Sequence, residues 1–156
     1  VPSVAPAEPA DAAGLAILLE EMDRFYGATE FAAIEDRVAE IKANVFDSDA
    51  GICVLLARDD DGELVGFASY SYLWPAVGLT RSLFLKELYV SASHRGKGIG
   101  RQLVDALRMV AVESGCSRVE WTTDRGNINA QRFYARLGVQ QLPAKVFYRM
   151  AVGPYQ

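Results

Sequence analysis

Leu88-Tyr89-Val90-Ser91-Ala92-Ser93-His94-Arg95-Gly96-Lys97-Gly98-Ile99-Gly100 changes character midway, from an apolar strand end to small, polar and glycine residues that open a helix. At such a junction, backbone N–H groups and the helix dipole can hold phosphate oxygens. Gly96, Gly98 and Gly100 carry no Cβ to block close approach, and Arg95, Lys97 and Arg101 place three positive charges within seven residues. A multiply charged anion suits this chemistry; a tight turn with solvated basic side chains is the plainer alternative. Two familiar phosphate loops are excluded. GxxxxGK[ST] is absent, and Arg101 stands where a GxGxxG fingerprint has its third glycine. Asp124 imitates a ribose-binding acid, but the 56 residues after Gly100 are too few for a doubly wound sheet of about six strands.

Working outward, the pattern predicts an α/β protein built on a mixed sheet. Apolar residues at 99, 103, 107, 110 and 111 mark one helical face, and Gly115 ends that helix. Residues 118–123 alternate as a strand. With residues 83–90 before the loop they make a βαβ unit with parallel neighbours. Residues 127–137 read as a further helix and 145–150 as a closing strand. Upstream, the run at 52–57, the Asp59-Asp60-Asp61-Gly62 turn and residues 64–72 predict a hairpin, and residues 83–90 add a third antiparallel strand. Two helices are expected before any strand: one capped by Asp11 and stopped at Gly27, the next from Thr29 to a turn over 47–51. Residues 1–10, with Pro2, Pro6 and Pro9, read as a flexible, extended Ala/Pro-rich tail, and residues 11–156 as a single domain.

The glycine loop with its strand resembles the acetyl-CoA-binding signature of the GNAT acetyltransferase superfamily. The R/Q-x-x-G-x-G/A core is complete in Arg95-Gly96-Lys97-Gly98-Ile99-Gly100. Downstream, Asn127-Ile128-Asn129-Ala130-Gln131-Arg132-Phe133-Tyr134-Ala135-Arg136-Leu137-Gly138 resembles the N-x-x-A-x-x-x-Y-x-x-x-G helix of the same family. The two motifs span residues 83–150; over the N-terminal third only the order of elements matches. The resemblance implies the acyl-CoA N-acyltransferase fold, acetyl-CoA as co-substrate and no metal. It implies that the amides of residues 95–100 hold the CoA pyrophosphate, assisted by Arg95, Lys97 and Arg101, and that the Leu88, Tyr89 and Val90 backbone pairs with pantetheine and supplies an oxyanion donor. Asn127 would fix the cofactor, cap its helix, or do both.

Transfer of an acetyl group from a thioester to an amine needs a neutral nucleophile, a stabilised oxyanion and a proton for the departing thiolate. The resemblance makes Tyr134 the donor, a phenol that stays protonated at neutral pH; packing in an aromatic core is the alternative. Glu87, on an otherwise apolar strand, is the candidate base, or else belongs to a solvated face beside Lys86. His94, the one histidine, is assigned an exposed structural role.

A formal charge of -4 has the wrong sign for coating nucleic acid, and no apolar run approaches the ~18–20 residues of a spanning helix. Cys53 and Cys116 lack metal or disulfide spacing and suit a reducing, cytoplasmic setting. A cationic small-molecule amine, a polyamine or diamine, is the expected acceptor. The acids Glu20, Glu21, Asp23, Glu30, Glu35 and Asp36 could attract it, and Tyr70, Tyr72 and Trp74 offer cation–π faces. A protein-lysine or N-terminal acetyltransferase and a non-catalytic acyl-CoA-binding module remain as alternatives. The aromatic closing strand and the habit of the family point to a homodimer.

Overall fold

A computed structural model describes residues 2–47, 49 and 51–154. The apolar runs pair into a sheet of five strands, β1 (Ser3–Pro6), β2 (Cys53–Arg58), β3 (Leu64–Leu73), β4 (Arg81–Val90) and β5 (Cys116–Glu120), lying side by side in that order. The chain divides into two compact units, Val1–Thr122 and Thr123–Gln156. The first holds the sheet with α1 (Ala12–Phe25), α2 (Ile34–Ile41) and α3 (Ile99–Glu113); the second holds α4 (Ile128–Arg136). Strands β1 to β4 pair antiparallel and β5 pairs parallel to β4, the geometry that the α3 crossover permits. From α1 to α4 the predicted order of two helices, antiparallel strands, βαβ unit and final helix is the observed one, but a strand, β1, comes before the helices and no closing strand follows α4 among the described residues.

In the β2–β3 turn, the Asp59 carboxylate accepts from the Asp61 and Glu63 N–H groups, both at 3.0 Å, so the acidic tetrad closes on its own hydrogen bonds. Each face of the sheet buries a core. Leu55, Tyr70, Leu83 and Leu85 meet Ile99, Leu103 and Leu107 of α3, whereas Val54, Leu56, Phe67 and Tyr89 meet Leu15, Leu18 and Met22 of α1 and Ile41 of α2. Gly66 lets β3 and α3 come together: a Cβ there would stand 2.9 Å from the Tyr89 carbonyl oxygen and 3.4 Å from Leu103.

Strict alternation along β4 fails at one point. Ser69 pairs with Glu87 but Tyr70 pairs with Leu85, so Lys86 is an extra residue, a β-bulge. The bulge resets parity: Leu83 and Leu85 face α3, yet so do Leu88 and Val90, while Tyr89 turns toward α1.

Four expectations change. Residues 3–6 are not a free arm but the edge strand β1, with Ser3 opposite Arg58 and Pro6 opposite Leu55; extended backbone with proline at the strand's end is compatible with an edge. Residues 145–150 form no strand, because strand propensity needs a neighbouring ladder and the described residues of their own unit contain none. Asp11 does not cap α1 through its side chain; its carboxylate accepts from the Glu8 N–H and pairs with Arg58. Helix α2 starts at Ile34 rather than near Thr29, and Ser48 and Ala50 of the expected turn over 47–51 lie outside the described residues.

Candidate active site

The ladder between β4 and β5 runs from Arg81 opposite Cys116 to Phe84 opposite Glu120 and stops there, although β4 continues to Val90. From Leu85 to Val90 the β5 side of β4 is therefore an open sheet edge, whose main-chain groups are built to pair with an extended, amide-bearing chain. Leu88, Tyr89 and Val90 lie on this stretch.

At its end the chain turns through Ala92–His94 and enters α3 over Gly98, whose φ of 83° lies in the left-handed region that an L side chain resists. Space above Gly98 is open, with nothing within 4 Å of where a Cβ would be. The first N–H groups of the 15-residue α3 have no acceptor within the helix, so Ile99, Gly100 and Arg101 present donors beside the basic loop. Gln102, in the same turn, holds a buried Oε1 that meets no hydrogen-bond partner among the described residues. Nothing in the sequence singled Gln102 out. A donor-rich turn at the end of an open strand edge fits a ligand that joins a diphosphate to a chain of amides.

Arg95 contributes differently from expectation. Its Nε donates to the Val90 carbonyl oxygen at 3.0 Å, and its guanidinium lies 4.6 Å from the Phe25 ring centre and 5.4 Å from that of Tyr89. The side chain thus braces the loop against α1 and occupies the carbonyl of one of the strand residues assigned to pantetheine. Tyr89 is itself fixed: burial and the neighbouring Glu21 raise its phenol above the ordinary tyrosine range, and Glu21 also accepts from Ser91 Oγ at 3.0 Å. Lys97 and Arg101 are exposed at the loop.

His94 is structural, but it is half-buried instead of exposed. Its Nε2 stands 3.3 Å from an Asp59 carboxylate oxygen and its Nδ1 2.9 Å from Ser93 Oγ, tying the glycine loop to the hairpin turn. Asp59 is held below the usual carboxylate range, chiefly by the Glu63 N–H and further by the Asp61 N–H and by His94.

Glu87 follows the bulge and lies opposite Ser69, on the face that Tyr89 turns toward α1. A charged Lys86-Glu87 pair inside an apolar run is the sequence signal for that irregularity. In the second unit, the Asn127 side chain accepts from the Ala130 N–H at 3.1 Å and caps α4, and Tyr134 on that helix packs its ring 5.3 Å from Phe133. Two of the three aromatics offered for cation–π binding are already engaged: Tyr70 is buried, and Tyr72 carries Arg81 over its ring at 4.2 Å with its hydroxyl 3.0 Å from Ser114. Glu20 and Glu21 line a cavity of about 610 Å³ between α1 and the hairpin turn, which Ser91, just past the end of β4, also lines. Among the described residues no cluster of His, Cys, Asp and Glu stands as a metal site, and no helix is long and apolar enough to cross a membrane.

Residues 15–139 match the model of the acetyltransferase (GNAT) family. The chain belongs to that family. It is an N-acetyltransferase, and acetyl-CoA is the acyl donor that GNAT enzymes use. It is 32% identical over 101 residues to an aminoglycoside N(6')-acetyltransferase type 1 of Serratia marcescens, covering 63% of this chain and 69% of the relative. To a Bacillus subtilis protein named as the uncharacterised N-acetyltransferase YhfO it is 26% identical over 94% of this chain and 95% of the other. Among solved structures, an integron cassette protein from the mobile metagenome of V. cholerae superposes with a TM-score of 0.88 at 30% identity, over 97% of this chain and 93% of that one.

Proposed function

We infer that this GNAT enzyme moves the acetyl group of acetyl-CoA directly onto a primary amine of a small cationic molecule, with both substrates bound together. The observation that carries the reading is the parting of β4 from β5 after Phe84 and Glu120, which leaves an open strand edge leading into the glycine loop. Pantetheine amides complete that edge, and the amides of residues 96–101 with Lys97 and Arg101 hold the diphosphate. The amine nitrogen attacks the thioester carbonyl carbon as the carbon–sulfur bond breaks. Glu87 takes the proton the ammonium must lose, directly or through water; a main-chain N–H of the 88–90 stretch donates to the carbonyl oxygen; Tyr134 gives its proton to the departing sulfur and recovers one, through water, from the second proton the nitrogen sheds as the amide forms.

A small acceptor is supported by the relative whose name specifies aminoglycosides and by an acidic protein of pI about 5.0. Cys53 and Cys116 are free thiols, which suits the reducing cytoplasm. Residues 145–150 are rich in strand formers and have no ladder, a segment that a second copy could pair, so the enzyme is expected to be a homodimer. Light scattering that returned about 17 kDa at all concentrations would remove that part.

The test of the activity is thiol release from acetyl-CoA over a panel of polyamines, diamines, aminoglycosides, amino acids and lysine peptides. Release with small polycationic amines and not with peptides is expected. Activity confined to peptides would make the enzyme a protein acetyltransferase, and acetyl-CoA binding without release would make it a binding module. In Tyr134→Phe the ring stays and the hydroxyl goes, so kcat should fall about 10- to 1,000-fold with acetyl-CoA affinity unchanged. Wild-type turnover by that variant between pH 7 and 9 would exclude the phenol as donor.

A further inference from the structure

Where β4 and β5 part, a buried serine holds a carboxylate in place. Ser82 is only 4% exposed, and its Oγ donates to Glu120 Oε1 at 2.6 Å. Glu120 is the last residue of β5 and the last to pair with β4, opposite Phe84. Leu83 and Val119, next to these residues on their strands, pack in the core on the α3 side, so Ser82 and Glu120 look out from the opposite face. The bulge at Lys86 returns Glu87 to that same face. One carboxylate from each strand therefore stands at the fork, on the side away from α3.

A hydroxyl taken out of water must find a partner, and Ser82 spends its donor on Glu120. The hydrogen bond restricts the carboxylate to one orientation, so less side-chain freedom is lost when a ligand is gripped. The opposing cation is loosely placed: Arg118 Nη1 lies 3.9 Å from Glu120 Oε2, beyond hydrogen-bond reach, and both side chains are about two-fifths exposed, at 43% and 38%. That oxygen can exchange Arg118 for a stronger donor. A primary amine reaches the enzyme as an ammonium, with three donors and a reference pKa of about 10.

We propose that Glu120, held by Ser82, receives the ammonium of the acceptor at the fork and selects cationic amines approaching from the α1 and α2 side of the sheet. Glu120 is a specificity-determining residue and Ser82 its positioning residue. The proposal rests on the amine-acetylating reading above, and it separates two acidic roles: Glu120 recognises charge and Glu87 removes the proton.

The test is initial-rate kinetics on the full chain, using the best amine of the panel, for Glu120→Gln and Ser82→Ala, with acetyl-CoA binding measured by calorimetry. Glu120→Gln keeps the side-chain volume on a partly exposed residue. It should raise the KM for the amine at least tenfold, with kcat at saturating amine within about threefold and the acetyl-CoA Kd unchanged. Ser82→Ala should raise the same KM three- to tenfold, and Ser82→Thr, which keeps the hydroxyl, should restore it. A merely structural pair would shift acetyl-CoA binding and kcat along with the amine KM, and that result overturns the proposal. So does an amine KM within twofold of wild type in Glu120→Gln. Failure of the wild type to acetylate any amine while still binding acetyl-CoA would overturn the underlying reading, and the proposal with it.

Discussion

The two halves of β4 have the same neighbour on one side and different fates on the other. From Arg81 to Phe84 the strand is paired with both β3 and β5; from Leu85 to Val90 it is paired with β3 alone. The first half has a strand on each side, as the interior of a sheet must. The second half carries the bulge, the charged Lys86 and Glu87, and a main-chain edge that β5 does not reach. An exposed edge is a hazard that proteins usually cover, and the glycine loop at its end indicates what covers this one. On the proposed reading, the same strand is scaffold where its partner continues and site where its partner stops.

The contrast can be broken at the loop with the largest effect. Gly98→Asp places a carboxylate against the diphosphate position, and Asp tolerates the left-handed backbone better than most L residues, so the fold should persist. Acetyl-CoA affinity should fall at least 100-fold, about 2.7 kcal/mol, and with it the rise in Tm that the ligand gives the wild type. Unchanged affinity in the folded variant would remove the anion site. Gly66→Ala acts on the closed side of the second half, where the new methyl meets the Tyr89 carbonyl oxygen at 2.9 Å. Overpacking of this kind costs about 1–3 kcal/mol, to be read from the urea midpoint, and a midpoint equal to wild type would mean that β3 and β4 can separate without penalty.

The smallest expected effect is at the brace behind the loop. Because the Asp59 carboxyl is held below its ordinary range in the folded protein, its contribution to stability is present above about pH 4. It is lost as the pH falls through the depressed folded value. Asp59→Asn should therefore be less stable than wild type at neutral pH and converge with it on acidification. Parallel curves down to pH 2 would mean that Asp59 is not the titrating group.

The loop and the order of elements were legible because glycine punctuation and helical period are local properties. Residues 88–101 and the βαβ unit could be read directly, and the second motif located Asn127 and Tyr134. What escaped depends on pairing. Pro2, Pro6 and Pro9 suggested a free arm, yet the edge of β2 gave residues 3–6 a partner. Residues 145–150 had the composition of a strand and no ladder in their own unit. The bulge at Lys86 changed which residues share a face, and no alternation rule includes an inserted residue. Arg95 was read by its charge, whereas its guanidinium is engaged by the Val90 carbonyl and two aromatic rings. Tyr70 and Tyr72 were read by their faces, which burial and Arg81 had already taken.

Amide hydrogen exchange along β4, with and without saturating acetyl-CoA, tests the fork most directly. Amides of residues 85–90 that point away from β3 should exchange readily in the free enzyme and become protected by the ligand, while those of residues 81–84 stay protected in both states. Protection gained equally along the whole strand, or none gained over 85–90 at saturation, would contradict the assignment of the open edge as the acetyl-CoA site.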